Sequence, residues 1–150
     1  MASMTIDHAN RAGEEQLTLQ SRMAELTLVP AWIERLAAEH GISESTQFAM
    51  NLCLEEILSN IIRHGYGSVP DKSIVVRYSQ SSEHLSRIVV EDEAPHFDPL
   101  AAPENPIEET LEGTRIGGLG IRLVRNFASS LHYEATAIGN RLIIEFAASA

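Results

Sequence analysis

The run Glu56-Ile57-Leu58-Ser59-Asn60 sets a carboxylate and a carboxamide one helical turn apart. Side chains at i and i+4 share a helix face, so Glu56 and Asn60 address the same space, and His64 at i+8 extends the stripe. Beside that stripe, Met50, Leu54, Ile57, Leu58 and Ile61 recur at the spacing of a buried helix face. Polar groups that border a core need partners. A divalent metal carrying phosphate oxygens would supply them, because Mg²⁺ takes a few protein oxygens together with ligand phosphates. The plainer alternative is a solvated polar face beside a core.

Two other stretches carry compatible chemistry. Asp92 ends the β-branched run Ile88-Val89-Val90 and opens the segment Glu93-Ala94-Pro95-His96-Phe97-Asp98-Pro99. A carboxylate there can accept a hydrogen bond from an exocyclic amine such as that of adenine; an Asp also starts ordinary turns. Gly117-Gly118-Leu119-Gly120-Ile121-Arg122 opens a helical pattern. Glycines at a helix N-terminus let backbone N–H groups reach phosphate oxygens, aided by the helix dipole, although glycines serve simple turns too. No Gly-Lys-Ser/Thr follows, which excludes a Walker A loop. The spacing after Gly120 and the lack of a surrounding βαβ unit exclude a dinucleotide-binding fingerprint.

The elements that must position these residues can be read in outline. Residues 1–13 are expected to be disordered, and residues 14–150 to form a single domain. Residues 16–21 alternate polar and apolar and predict a strand. Pro30 suits the first turn of a helix running to about His40, with Trp32, Ile33, Leu36 and Ala37 as its apolar set and Gly41 as its C-cap. Ser43 or Ser45 caps the second helix, which carries Glu56 and Asn60. Breakers at residues 65–71 make a loop. Residues 73–79 and 85–91 are strands joined by a hairpin. Residues 92–118 contain Pro95, Pro99, Pro103 and Pro106 with acids at Glu104, Glu108, Glu109 and Glu112, the composition of a functional lid or a disordered loop. A helix over 121–130 follows, with Leu123, Val124 and Phe127 on its apolar side. Two strands, 131–135 and 141–146, turn at Ile138-Gly139-Asn140. The sum is an α+β two-layer sandwich with a mixed, mostly antiparallel sheet and helices on one face.

Composition narrows the function. A chain of 150 residues with a 44% apolar fraction builds one real core. The net charge of −10 argues against sequence-independent nucleic-acid binding and against an anionic membrane surface. Lys72 is the one lysine among eleven basic residues, and arginine suits phosphate and carboxylate forks. Cys53 has no second cysteine to pair with, which points to a reducing compartment, and its helical setting makes it a small apolar residue rather than a nucleophile. Charges at Asp7, Arg11, Glu14 and Glu15 leave no apolar run for a signal peptide, and no stretch is apolar enough for a membrane span. A cytoplasmic location is expected.

Taken in order, the three stretches resemble the Bergerat-fold ATP-binding superfamily of gyrase, histidine kinase and MutL type. Residues 56–66 look like its N-box, residues 92–97 like its first glycine box and residues 117–120 like its second. The serine-kinase anti-sigma-factor branch, of RsbW and SpoIIAB type, is the closer resemblance. It rests on Asn60 with His64-Gly65-Tyr66, on Phe97-Asp98-Pro99, on residues 117–124 and on Gly139-Asn140-Arg141-Leu142. The resemblance spans roughly residues 17–146.

It implies ATP and Mg²⁺ as cofactors, with Asn60 as the metal and phosphate ligand and Glu56 as the general base that takes a proton from a Ser or Thr hydroxyl. It implies that Asp92 holds the adenine amino group, and that Gly117, Gly118, Leu119 and Gly120 bring backbone to the phosphates. Arg63, His64, Ala94 and Phe97 fall within the nucleotide-binding boxes. Arg115, beside the glycines, suits the terminal phosphate. Ala94 departs from the pattern, which has Gly there: its methyl occupies space where nucleotide and backbone approach, and it penalises positive φ. The implied partners are an anti-sigma-factor antagonist and a sigma factor, with a second copy of the chain as a further candidate. The competing expectation is a non-catalytic, nucleotide-gated binding module. A sensor-kinase fragment would need a phosphoacceptor-histidine helix, for which 150 residues leave no room.

Overall fold

Alternation of buried and exposed residues builds a six-stranded sheet in the order β1-β2-β3-β4-β6-β5, where β1 is Thr5–Asp7, β2 Glu15–Gln20, β3 Ser73–Ser82, β4 Leu85–Asp92, β5 Ser130–Ala135 and β6 Asn140–Ala147. The structure, a computed structural model, describes residues 5–7, 14–82, 85–101 and 118–147. Leu17 and Leu19, then Ile74, Val76 and Tyr78, then Ile88 and Val90, then Leu142, Ile144 and Phe146 all turn to one face and are buried. Period-2 alternation makes that face continuous across four strands. The other face carries a charged ladder in which Arg77 pairs with Glu91, Arg141 lies between Glu91 and Glu134, and Arg87 meets Glu145.

Helices α1 (Leu28–His40), α2 (Glu44–Asn60) and α3 (Gly118–Phe127) supply the second layer. Trp32, Ile33 and Leu36 of α1, Met50, Leu54 and Leu58 of α2, and Val124 of α3 are all fully buried with the sheet residues in one core. Each large side chain of this kind contributes about 1.5–3 kcal/mol. Gly41 ends α1 in the left-handed conformation at φ 67° and returns its N–H to Ala37 O at 2.9 Å. Two residues on, Ser43 caps α2: its Oγ accepts the Thr46 N–H at 3.2 Å. The two breaks fix the α1–α2 corner. At the sheet end remote from Asp92, Glu15 is nearly buried between Arg35 and His40 of α1, at 3.5 and 3.4 Å.

The expected α+β sandwich is the observed one, and the pairing pattern follows from the connections. Two helices separate β2 from β3, so the chain returns antiparallel to β2. Strands β4 and β5 run in the same direction with α3 between them, but β6 enters the sheet between the two. All five described pairings are therefore antiparallel, in place of the mixed sheet expected. Three local outcomes also differ. Thr5–Asp7 pairs with β2 inside the stretch expected to lack structure. Helix α3 begins at Gly118 rather than Ile121, so Gly118 and Gly120 form its first turn, and it closes with Ala128 N–H on Val124 O at 2.8 Å. Residues 61–65 leave the α-helical register for a π turn, with Tyr66 N–H on Ile61 O at 2.8 Å.

Candidate functional site

Asp92 is the last residue of β4, and alternation turns it to the helix-covered face. It is only 8% exposed. Its Oδ1 accepts from Ala94 N–H at 2.9 Å, which folds residues 92–94 into a side-chain-closed turn. The same Oδ1 accepts from Asn140 Nδ2 at 2.9 Å. Among the described residues no donor meets Oδ2. Burial pushes the Asp92 carboxyl above the usual carboxylate range, and the Asn140 and Ala94 hydrogen bonds pull it part of the way back. A nearly buried carboxylate with one oxygen held and one open can accept a hydrogen bond from a ligand.

Three elements hold this turn. Tyr66, at the end of the π turn, is buried; its hydroxyl donates to Ser73 O at 2.7 Å and accepts Glu93 N–H at 2.7 Å. One phenol thus joins the end of α2, the start of β3 and the end of β4. Gly139, in the β5–β6 turn, lies so close that a Cβ there would stand 1.9 Å from Asp92 O and 2.7 Å from Glu93 Cα. A side chain is sterically forbidden at Gly139. His96 Nε2 donates to Thr136 O at 2.8 Å, a second clasp between the same two loops.

The departure at Ala94 costs no backbone strain. Among the described residues, Ser68 and Asp71 are the non-glycine residues with positive φ, and Ala94 is not one of them. Its methyl is buried toward Gly65, where a Cβ would meet it at 3.2 Å. The small residue needed at this contact is therefore Gly65, which ends the π turn against Ala94.

Glu56 and Asn60 lie one turn apart on α2, half-buried, and neither side chain has a hydrogen-bond partner among the described residues. The stripe does not continue regularly to His64. From Ile61 the π turn replaces the 3.6-residue period, and Arg63 and His64 are exposed. Phe97 is 64% exposed, with its N–H held by Asn140 Oδ1 at 2.9 Å. Gly118, Leu119 and Gly120 are in the first turn of α3, which packs against α2. Arg115, Gly117 and residues 102–117 of the expected lid lie outside the described residues. Cys53 is buried, and desolvation pushes its thiol up to about 12, so it is the apolar residue expected.

The chemistry of the donor set fits a magnesium–nucleotide. Asn60 offers a neutral carbonyl oxygen, Glu56 a carboxylate, Asp92 an open acceptor, and α3 a glycine-containing N-terminus. Asn140, Gly139 and Tyr66 carry part of the family resemblance, but sequence reasoning gave none of them a role in the site. Asn140 and Gly139 read as hairpin-turn residues and Tyr66 as a loop residue. Besides the resemblance, alternation from Leu142 signalled Asn140, since it puts that residue on the buried face.

Comparison with known proteins gives a consistent assignment. Residues 19–146 match the family model described as a histidine kinase-like ATPase domain. The serine/threonine-protein kinase BtrW of Bordetella bronchiseptica is 28% identical over 129 residues, covering 85% of this chain and 90% of BtrW. The structure of the RsbU and RsbW domains of Rv1364c from Mycobacterium tuberculosis superposes with a TM-score of 0.61 at 18% identity, over 90% of this chain and 33% of that one. The histidine kinase domain of the blue-light activated histidine kinase EL346 from Erythrobacter litoralis gives 0.52 at 18% identity, over 83% of this chain and 60% of that one. This chain thus spans about a third of the first solved structure and three-fifths of the second. No helix among the described residues is long and apolar enough to cross a membrane.

Proposed function

The chain belongs to the histidine kinase-like ATPase domain family, and on that premise we propose that it is an ATP-dependent protein serine/threonine kinase. Its acceptor in this reading is a small anti-sigma-factor antagonist, and its second partner a sigma factor that it holds inactive. The likeness to a serine/threonine kinase across 85% of the chain supports the kinase reading. The observation that carries the nucleotide site is Asp92, nearly buried, with Oδ1 fixed by two donors and Oδ2 open.

The residues divide the work as follows. Asp92 Oδ2 accepts the adenine amino N–H. Asn60 is the residue that would hold Mg²⁺, through its side-chain oxygen. Arg63, His64 and Phe97 border the nucleotide from the α2 end and the Asp92 loop. Gly117, Gly118, Leu119 and Gly120 present backbone N–H groups to the phosphates, with Arg115 as the charge beside them. Bound Mg-ATP supplies an electrophilic terminal phosphate. Glu56, one turn from Asn60, takes the proton from the attacking Ser hydroxyl as the Ser oxygen bonds to the terminal phosphorus and the bond to ADP breaks, ADP leaving. The acidic surface, at −10, is compatible with masking a basic partner.

Incubation with Mg-ATP and the candidate antagonist, followed by mass spectrometry, tests this reading. Wild type is expected to yield phosphoserine on the antagonist. Glu56→Gln is expected to keep Mg-ATP binding and lose about 10²–10⁴ of the transfer rate. Transfer at the wild-type rate by Glu56→Gln would remove Glu56 as the base. Nucleotide-dependent sigma binding with no transfer by wild type would favour the non-catalytic binding module.

A further inference from the structure

The β6 residue Asn140 has more polar contacts than any role in a turn requires. It is 8% exposed. Its Nδ2 faces Asp92 Oδ1 at 2.9 Å and the carbonyls of Ala94 and Pro95, each at 3.2 Å. Its Oδ1 accepts the Phe97 N–H at 2.9 Å and the hydroxyl of Tyr133 from β5. The partners force the orientation of the amide, because a backbone N–H can only donate and two carbonyls can only accept. An asparagine amide has two N–H groups and two lone pairs. All of that capacity is used within the protein, so Asn140 has none left for a ligand. Whatever it does for the ligand, it does through Asp92.

We propose that Asn140 is the positioning residue that makes Asp92 selective for an amino-bearing base. This rests on the nucleotide reading above and deepens it. A carboxylate is symmetric, and the Ala94 N–H alone does not stop it from turning about its own axis. Asn140 pins Oδ1 from a second direction and at the same time ties down residues 94–97. Oδ2 is then fixed toward the ligand. The pinning group is a neutral donor, so it leaves the carboxylate charge for the base, which an Arg or Lys would neutralise. An oriented anionic acceptor binds the 6-amino group of adenine and repels the 6-oxo group of hypoxanthine.

The test is titration of Mg-ATP and Mg-ITP, in parallel, into wild type, Asn140→Ala and Tyr133→Phe, with folding monitored by circular dichroism. Wild type is expected to prefer ATP. In Asn140→Ala, ATP affinity should fall on the order of 10-fold or more while ITP affinity stays within about 2-fold, so that the preference collapses. Equal weakening of both nucleotides means that Asn140 only supports the fold, and overturns the proposal; so does no change in either. If Asn140→Ala does not fold, Tyr133→Phe decides, since it removes one donor to Asn140 and leaves the core intact. Its ATP-to-ITP preference should drop about 2- to 10-fold, and an unchanged ratio overturns the proposal. Wild type that binds ATP and ITP equally well overturns the positioning role but leaves the nucleotide site standing. Wild type that binds neither overturns the nucleotide reading, and the role of Asn140 with it.

Discussion

Asp92 is maintained against its own stability. Burial raises its pKa, so the folded state favours the protonated form more than the unfolded chain does. The contribution of such a group is fully present below the unfolded-state pKa, near pH 4, and is lost as pH rises through the folded-state value. At neutral pH, wild type therefore carries the cost of a nearly buried anion. Asp92→Asn keeps an oxygen that can accept from Ala94 N–H and from Asn140, and removes the charge. In the absence of ligand the variant should be at least as stable as wild type at pH 7, and its advantage should shrink as pH falls toward about 4. Thermal unfolding of both proteins across that range measures the gap. A gap that widens on acidification would contradict the sign of the shift. A residue that is costly in the empty protein and precisely hydrogen-bonded by its surroundings is the kind of residue a ligand repays.

At the scale of elements, the site is the meeting of three chain segments at one end of the sheet: the π turn after α2, the end of β4 and the β5–β6 turn. The last approach is the tightest, with a Cβ on Gly139 due to fall 1.9 Å from Asp92 O. Gly139→Ala should therefore push the β5–β6 turn off β4. It should destabilise the fold by about 1–3 kcal/mol, as overpacking does, and urea unfolding would measure this. An ordinary surface Gly→Ala change would be neutral or stabilising. The same comparison shows what could be read in advance. Helix α2, its Ser43 cap, the Gly41 stop and both hairpins were legible because their signals are local: periodicity, capping and breakers. Glu56, Asn60 and Asp92 were singled out because their residue types and order resemble the Bergerat boxes. The role of Asn140 was not legible, because Phe97 and Asp92, the partners it ties together, lie 43 and 48 residues away in the chain. Tyr66 likewise acts through Glu93, 27 residues on. The π turn was invisible because a 3.6-residue template extends smoothly across it. Ala94 looked like a source of strain because sequence alone does not give φ.

For the molecule as a whole, the sheet divides the labour. One face, with the helices, makes the core; the other carries the cross-strand charges; and Tyr66, Asp92 and Asn140 collect where the turn after α2, the end of β4 and the β5–β6 turn meet. A continuous core under that end, with Ile57, Ile62, Tyr66 and Ala94 all buried, keeps the loops in register. In the function proposed above, this end is an adenine-nucleotide site read through Asp92. Calorimetric titration of Mg-ATP into wild type and into Asp92→Asn tests it most directly, because the variant's retained or increased stability separates loss of binding from loss of fold. Saturable binding to wild type is expected, with an affinity lower by about 10- to 100-fold in the variant, the worth of one charged hydrogen bond. Equal affinity in the two proteins would contradict it.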